Sequence, residues 1–169
     1  MKLATLRTPE GTRAVRVDSY RLVDLGHADV GALLAEPDWQ IVAAGGGTGR
    51  TYSLAGADFA PVVPRPGKIL CVGLNYANHI REMGRQLPEF PTLFAKYPEA
   101  LASAADDIQL PPESAAVDWE AELAVVIGGA VRRATEATAA AAIAGFSIIN
   151  DVTMRDWQYR SVQWLQGKT

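Results

Sequence analysis

Three acids, Asp118, Glu120 and Glu122, stand at alternate positions in the run Val117-Asp-Trp-Glu-Ala-Glu-Leu-Ala-Val-Val-Ile127. Large apolar and β-branched residues dominate this run and Gly128-Gly129 closes it, which predicts a β-strand over 117–127. Side chains alternate between the faces of a strand, so the three carboxylates share one face. Trp119, Ala121 and Leu123 share the other, the face expected to meet a core. Carboxylates roughly 6–7 Å apart along a strand repel one another. A solvated face relieves that repulsion, and so does a cation held between the acids. Asp151 follows the apolar run Phe146–Ile149, at a strand end of the kind that presents functional groups in sheet proteins. Two glutamates from one strand and an aspartate from another suit a hard cation such as Mg²⁺, which takes a few carboxylates and keeps positions for water or substrate. The competing role for Asp151 is a helix N-cap for the segment that follows.

A second pair is His79 and Glu82, spaced i, i+3 after the apolar strand Lys68–Gly73. On a helical turn these side chains are neighbours, and a glutamate beside an imidazole orients it and raises its basicity, which makes a candidate general base. The competing reading is a solvent-facing histidine on a surface loop. His27, in a Gly-His-Ala turn, has no evident partner. Other chemistries lack their residues. No Gly-x-Ser-x-Gly elbow is present, and one cysteine with two histidines cannot build a zinc cluster. The run Gly45-Gly46-Gly47-Thr48-Gly49-Arg50 lacks the spacing and lysine of a phosphate loop and reads as a surface turn; Gly167-Lys168-Thr169 lacks the upstream glycine of one.

The 169 residues are 49% apolar and 21% charged, ordinary for a soluble globular protein with one domain and an appendage. A net charge of −3 argues against nucleic acid or an anionic membrane as the main partner. No apolar run reaches transmembrane length and no signal-peptide h-region opens the chain. The single cysteine, Cys71, fits a reducing cytoplasm, and its apolar neighbours predict a buried, inert thiol.

The elements that must position these groups follow in order. Lys2–Arg7 and Arg13–Val17 alternate around Thr8-Pro9-Glu10-Gly11, a β-hairpin. Residues 20–25 form a third strand, 29–36 a short helix ended by Pro37, and 39–44 a second helical piece. Pro61–Gly67 is a proline-stiffened linker, placing a small N-terminal module at 1–66 and the main domain at 67–169. Lys68–Gly73 reads as a strand buried on both faces, and Thr92–Lys96 as another strand. Thr135 caps a helix through Ala144 that Gly145 stops, Phe146–Ile149 is a strand, and Thr153–Gln166 is a closing amphipathic helix.

Together these segments resemble the fumarylacetoacetate hydrolase family. The resemblance rests on Lys68-Ile-Leu-Cys-Val-Gly-Leu-Asn-Tyr-Ala-Asn-His79, Pro91-Thr-Leu-Phe-Ala-Lys96, Val117–Gly128, Gly145-Phe-Ser-Ile-Ile-Asn-Asp151-Val-Thr-Met-Arg155-Asp156 and Gln163–Lys168. It implies an α+β, mostly β fold, a mixed sheet rolled into a flattened barrel, with residues 1–66 as a variable α/β module. It implies a divalent metal, Mg²⁺ or else Mn²⁺ or Ca²⁺, held by Glu120, Glu122 and Asp151. It implies catalysis by His79 and Glu82 on a lid segment, with Lys168 near the metal stabilising negative charge, and Asp118 outside the ligand set. Family members continue past the last residues of this chain, so an N-terminal portion of the catalytic domain with an incomplete barrel is expected, and a homodimer when complete. The implied reaction is hydrolysis of a C–C bond in a small 2-oxo acid of the acylpyruvate or fumarylpyruvate type, by water that the His-Glu dyad activates. The alternatives are isomerisation or decarboxylation of unsaturated 2-oxo dioic acids from aromatic catabolism, or a fragment without catalysis.

Overall fold

Alternation in the first 25 residues yields a hairpin of β1 (Leu3–Thr8) and β2 (Gly11–Asp18), extended by β3 (Arg21–Asp24) and β4 (Thr51–Ser53) into an antiparallel sheet of order β1-β2-β3-β4. The β1–β2 turn needs Gly11, whose φ of 115° disfavours any residue with a Cβ. Strand β4 was not evident in the sequence, since Thr51-Tyr52-Ser53 is too short to show a period. In this computed structural model, which describes all residues from Met1 to Thr169, the chain divides into two compact units. One comprises Met1–Pro66, Leu101–Ile108 and Glu122–Ile149, and the other Gly67–Ala100, Gln109–Ala121 and Asn150–Thr169.

In the first unit, Leu6, Val15 and Leu22 form one buried cluster, and Ala14, Leu25, Leu33 and Ala43 another. Helices α1 (Val30–Leu34) and α2 (Trp39–Ala44) carry Leu33 and Ala43 into it. The helix expected over 29–36 shortens because Asp29 serves as its N-cap, accepting from the Ala32 N–H. His27 does have a partner, Glu36, with Nε2 3.5 Å from Oε1. Arg7 ties Leu101–Ile108 to the sheet by donating to both carboxylate oxygens of Asp106, and it also donates to Asp58.

The same unit contains most of β8 (Ala121–Ile127) and β9 (Ile143–Asn150), paired in a two-stranded sheet, and α4 (Glu136–Ala141) capped by Thr135. Two expectations are corrected here. Gly145 does not stop α4, which already ends at Ala141 with Ala142 as its C-cap; the Ala142 carbonyl then accepts from the Gly128 N–H, drawing the chain into the sheet. The apolar face of β8 is not a core face either, because Leu123, Val125 and Ile127 are 59%, 47% and 54% exposed. Period-two alternation tells which residues share a face, whereas burial depends on whether another layer covers it.

In the second unit, β5 (Ile69–Gly73) pairs antiparallel with β6 (Thr92–Lys96), setting Cys71 opposite Phe94. The expectation of a strand buried on both faces fails: Leu70 and Val72 lie exposed and Cys71 is only half-buried. The ladder has two strands, with one face covered. The strand expected over 117–127 is interrupted, so that β7 (Val117–Asp118) pairs with β10 (Thr153–Met154) and β8 resumes at Ala121. At the break the Trp119 N–H donates to its neighbour Asp118, and the Glu120 N–H donates to Asn150 Oδ1. Side chains thereby take donors a continuous ladder would use. Trp119, expected in a core, is exposed. The expected helix over 153–166 is also broken: after β10 come α5 (Arg155–Gln158) and α6 (Leu165–Lys168). Between them Ser161 exchanges hydrogen bonds with the Gln163 backbone, a local alternative to helix.

None of the four sheets closes into a barrel. No helix is long and apolar enough to cross a membrane.

Candidate metal centre

The interruption at Trp119-Glu120 and the start of β10 build the site. The Asp151 N–H donates to the Glu120 carbonyl at 2.9 Å, so the backbones bearing the two acids are hydrogen-bonded directly. Thr153, fully buried, donates its hydroxyl to the Asp151 carbonyl and fixes the turn behind it. Glu122 lies two residues along the strand from Glu120. One carboxylate oxygen from each of Glu120, Glu122 and Asp151 comes within 4.8 Å of the others. Asp151 is 2% exposed and caps no helix, which removes its competing role.

A buried carboxylate this close to two others needs cations. Lys168, itself 2% exposed, donates from Nζ to Glu120 Oε1 and to Asp151 Oδ2, both at 2.8 Å. Lys96 reaches the other oxygen of Asp151 at 2.5 Å. Arg155 donates from Nη1 to Glu120 Oε1 and Gln158 Oε1, and from Nε and Nη2 to Asp118 Oδ2. The Arg155 guanidinium, helped by the Trp119 N–H, holds the Asp118 carboxyl below its ordinary value. Burial works against the charge on Arg155, but the hydrogen bonds it donates to Asp118 and Glu120 outweigh it, so its pKa is raised.

The structure thus brings Glu120, Glu122 and Asp151 together and sets Lys168 on Glu120 and Asp151. His79 and Glu82 do pair on the helical turn α3 (Ala77–Glu82), with Nδ1 3.7 Å from Oε2. Both are well exposed, and they approach each other, not Glu120, Asp151 or Lys168. Lys96 and Arg155 were missed as site residues. The sequence does carry a signal for Lys96, a lone lysine ending the apolar strand Thr92–Ala95 on the face of Phe94. Three carboxylates with hard oxygen donors form a suitable set for a divalent cation such as Mg²⁺ or Ca²⁺.

Residues 68–169 match the family model described as fumarylacetoacetate (FAA) hydrolase C-terminal. The chain belongs to the fumarylacetoacetate hydrolase family. Among curated relatives, the mitochondrial oxaloacetate tautomerase Fahd2a of Rattus norvegicus is 46% identical over 112 residues, and FAHD2A of Bos taurus, also a mitochondrial oxaloacetate tautomerase, is 50% identical over 115. Each match takes in 66% of this chain and 36% of the relative, so the chain spans about a third of those proteins. The crystal structure of 5-carboxymethyl-2-hydroxymuconate delta-isomerase from Mycobacterium smegmatis superposes with a TM-score of 0.79 at 30% identity, over 99% of this chain and 61% of that one. The fumarylacetoacetate hydrolase of Exiguobacterium antarcticum gives 0.77 at 28%, over 100% and 62%. The α+β, mostly β architecture is therefore the family's fold. The family includes enzymes of differing reaction type, and this chain presents the acidic and cationic groups just described.

Proposed function

We propose that this chain carries the enolate-stabilising site of an enzyme that transfers a proton on a small 2-oxo dioic acid, as a tautomerase or isomerase. The observation that carries this reading is the buried Lys168 ammonium bridging Glu120 and Asp151. An ammonium has three donors; Lys168 commits two to carboxylates, leaving one N–H for an oxygen that gains negative charge. Such fixed donors act most strongly where water is excluded. Lys96 adds a second ammonium from the opposite side of Asp151. A divalent cation held by Glu120, Glu122 and Asp151 would polarise the 2-oxo group as a Lewis acid and turn the local charge balance positive, favouring a dianionic substrate. Proton abstraction next to the carbonyl needs one base and stabilisation of the enolate. The relatives named as oxaloacetate tautomerase and as a hydroxymuconate isomerase have reactions of this kind in their names.

A second reading, hydrolysis of a C–C bond in an acylpyruvate, is favoured by the His79–Glu82 pair, which supplies a base for water. A cytoplasmic location is also a proposal, resting on the single thiol; the rat and bovine relatives carry the word mitochondrial in their names.

The test follows loss of the enol absorbance of oxaloacetate and, separately, pyruvate release from an acylpyruvate, with Mg²⁺, with Mn²⁺ and after chelation. Enol loss that depends on the metal and falls about 10²-fold or more in Lys168→Met supports proton transfer. Pyruvate release that His79→Ala abolishes favours hydrolysis instead. Turnover indifferent to chelation and to Lys168 sinks both readings.

A further inference from the structure

Lys168 lies at the end of a four-residue helix, which by itself cannot hold a side chain to a few tenths of an ångström. What seats it is packing inside the second unit. Trp164, the residue that opens α6, lies against Gly73 so closely that a Cβ there would be 2.3 Å from Trp164 Cζ3. Its ring meets Phe94 edge-on, with centroids 5.6 Å apart and planes at 61°. Phe94 in turn faces the Lys168 ammonium, with Nζ 5.3 Å from the ring centroid. Gly167 allows the helix to approach α5, since a Cβ there would stand 2.5 Å from the Gln158 nitrogen. Beyond Lys168, the Tyr97 N–H donates to Thr169 Oγ1 at 3.1 Å and pins the other side. Alternation on β6 places Phe94 and Lys96 on one face. The same strand face therefore supplies an aromatic ring to one lysine and the second lysine to Asp151.

We propose that Phe94 and Trp164 are positioning residues, an aromatic cradle that holds the Lys168 ammonium between Glu120 and Asp151. The face of an aromatic ring attracts a cation within about 6 Å of its centroid, and more strongly when water is excluded. Neither aromatic needs to touch substrate. Their effect is transmitted through one side chain, and glycine at position 73 is the condition for the arrangement. The functional consequence rests on the role given to Lys168 above, whereas the cradle itself does not.

The probe is the ¹H–¹⁵N signal of the Lys168 ammonium in the ¹⁵N-labelled chain at low temperature, assigned with Lys168→Arg. A buried ammonium with two carboxylate acceptors exchanges slowly with water and is ring-current shifted by Phe94. Phe94→Leu, of similar bulk, is expected to remove the shift and speed the exchange, and Phe94→Tyr to restore both. Trp164→Phe is expected to give an intermediate signal and is read in place of Phe94→Leu if that variant does not fold. An unchanged signal in a folded Phe94→Leu or Trp164→Phe protein overturns the cradle. Turnover of the metal-loaded enzyme is read in parallel. A drop in kcat of about tenfold with KM held marks transmission to the reaction. Loss of the signal with turnover intact upholds the cradle and refutes the role of Lys168 in catalysis. Turnover that falls in Lys168→Met beside an unchanged signal in Phe94→Leu does the reverse.

Discussion

Lys168 Nζ stands 2.8 Å from Asp151 Oδ2, and both side chains are 2% exposed. Removing one partner leaves the other charge one counter-ion short, since Asp151 keeps Lys96 and Lys168 keeps Glu120. Lys168→Met is therefore expected to destabilise the fold by about 1–3 kcal/mol at neutral pH. Asp151→Asn should cost a similar amount, because it leaves two ammoniums facing each other. The double variant should recover part of the loss, giving a coupling energy of about 0.5–3 kcal/mol in a urea-unfolding cycle. Strictly additive losses would show that the two groups do not interact.

Arg155 spans Asp118 and Glu120 with separate arms of its guanidinium. A lysine has the charge but not the fork, so Arg155→Lys cannot serve both carboxylates. Its expected effect is a weaker Mn²⁺ affinity, by about tenfold, with secondary structure unchanged. Calorimetric titration of both proteins checks it, and equal affinities would remove Arg155 from any part in orienting Glu120.

Asp118 titrates below the ordinary aspartate range because Arg155 and then the Trp119 N–H stabilise its ionised form. The stability this contributes is complete above the unfolded value and is lost as pH falls through the lower folded one. The difference in unfolding free energy between the native chain and Asp118→Asn should therefore be constant at neutral pH and shrink below a pH of about 4. Unfolding curves at several acidic pH values test this; a difference that widens on acidification would contradict it.

Burial separates residues that look alike in sequence. Leu22 is fully buried and Ile148 is 84% exposed. Leu22→Ala should cost about 2–5 kcal/mol, whereas Ile148→Ala should stay within about 0.5 kcal/mol. Denaturant midpoints of the two variants give the comparison directly.

The contrast between Leu22 and Ile148 also marks where sequence reasoning worked. The hairpin, the short helices and strand β6 were legible because turn residues and alternation act locally. The grouping of Glu120, Glu122 and Asp151 was legible from the motifs shared with the family and from the parity of the two glutamates. Burial was not. Leu70, Leu123 and Trp119 carry the apolar pattern of a core face but lie exposed, since a covering layer is a long-range fact. The break at Trp119-Glu120 was hidden for a related reason, because it depends on Asn150, thirty residues away in the chain. Lys96 and Arg155 escaped notice because cations recruited by a buried acid follow from that acid's surroundings.

That break has one more consequence. A glutamate in an unbroken ladder is locked to its strand's register, and can be moved only by moving the strand. Glu120 instead hangs by its amide on the side chain of Asn150. The residue that anchors the Glu120 amide is thus distinct from those that offer the carboxylates, and it acts beside the Asp151 N–H that holds the Glu120 carbonyl.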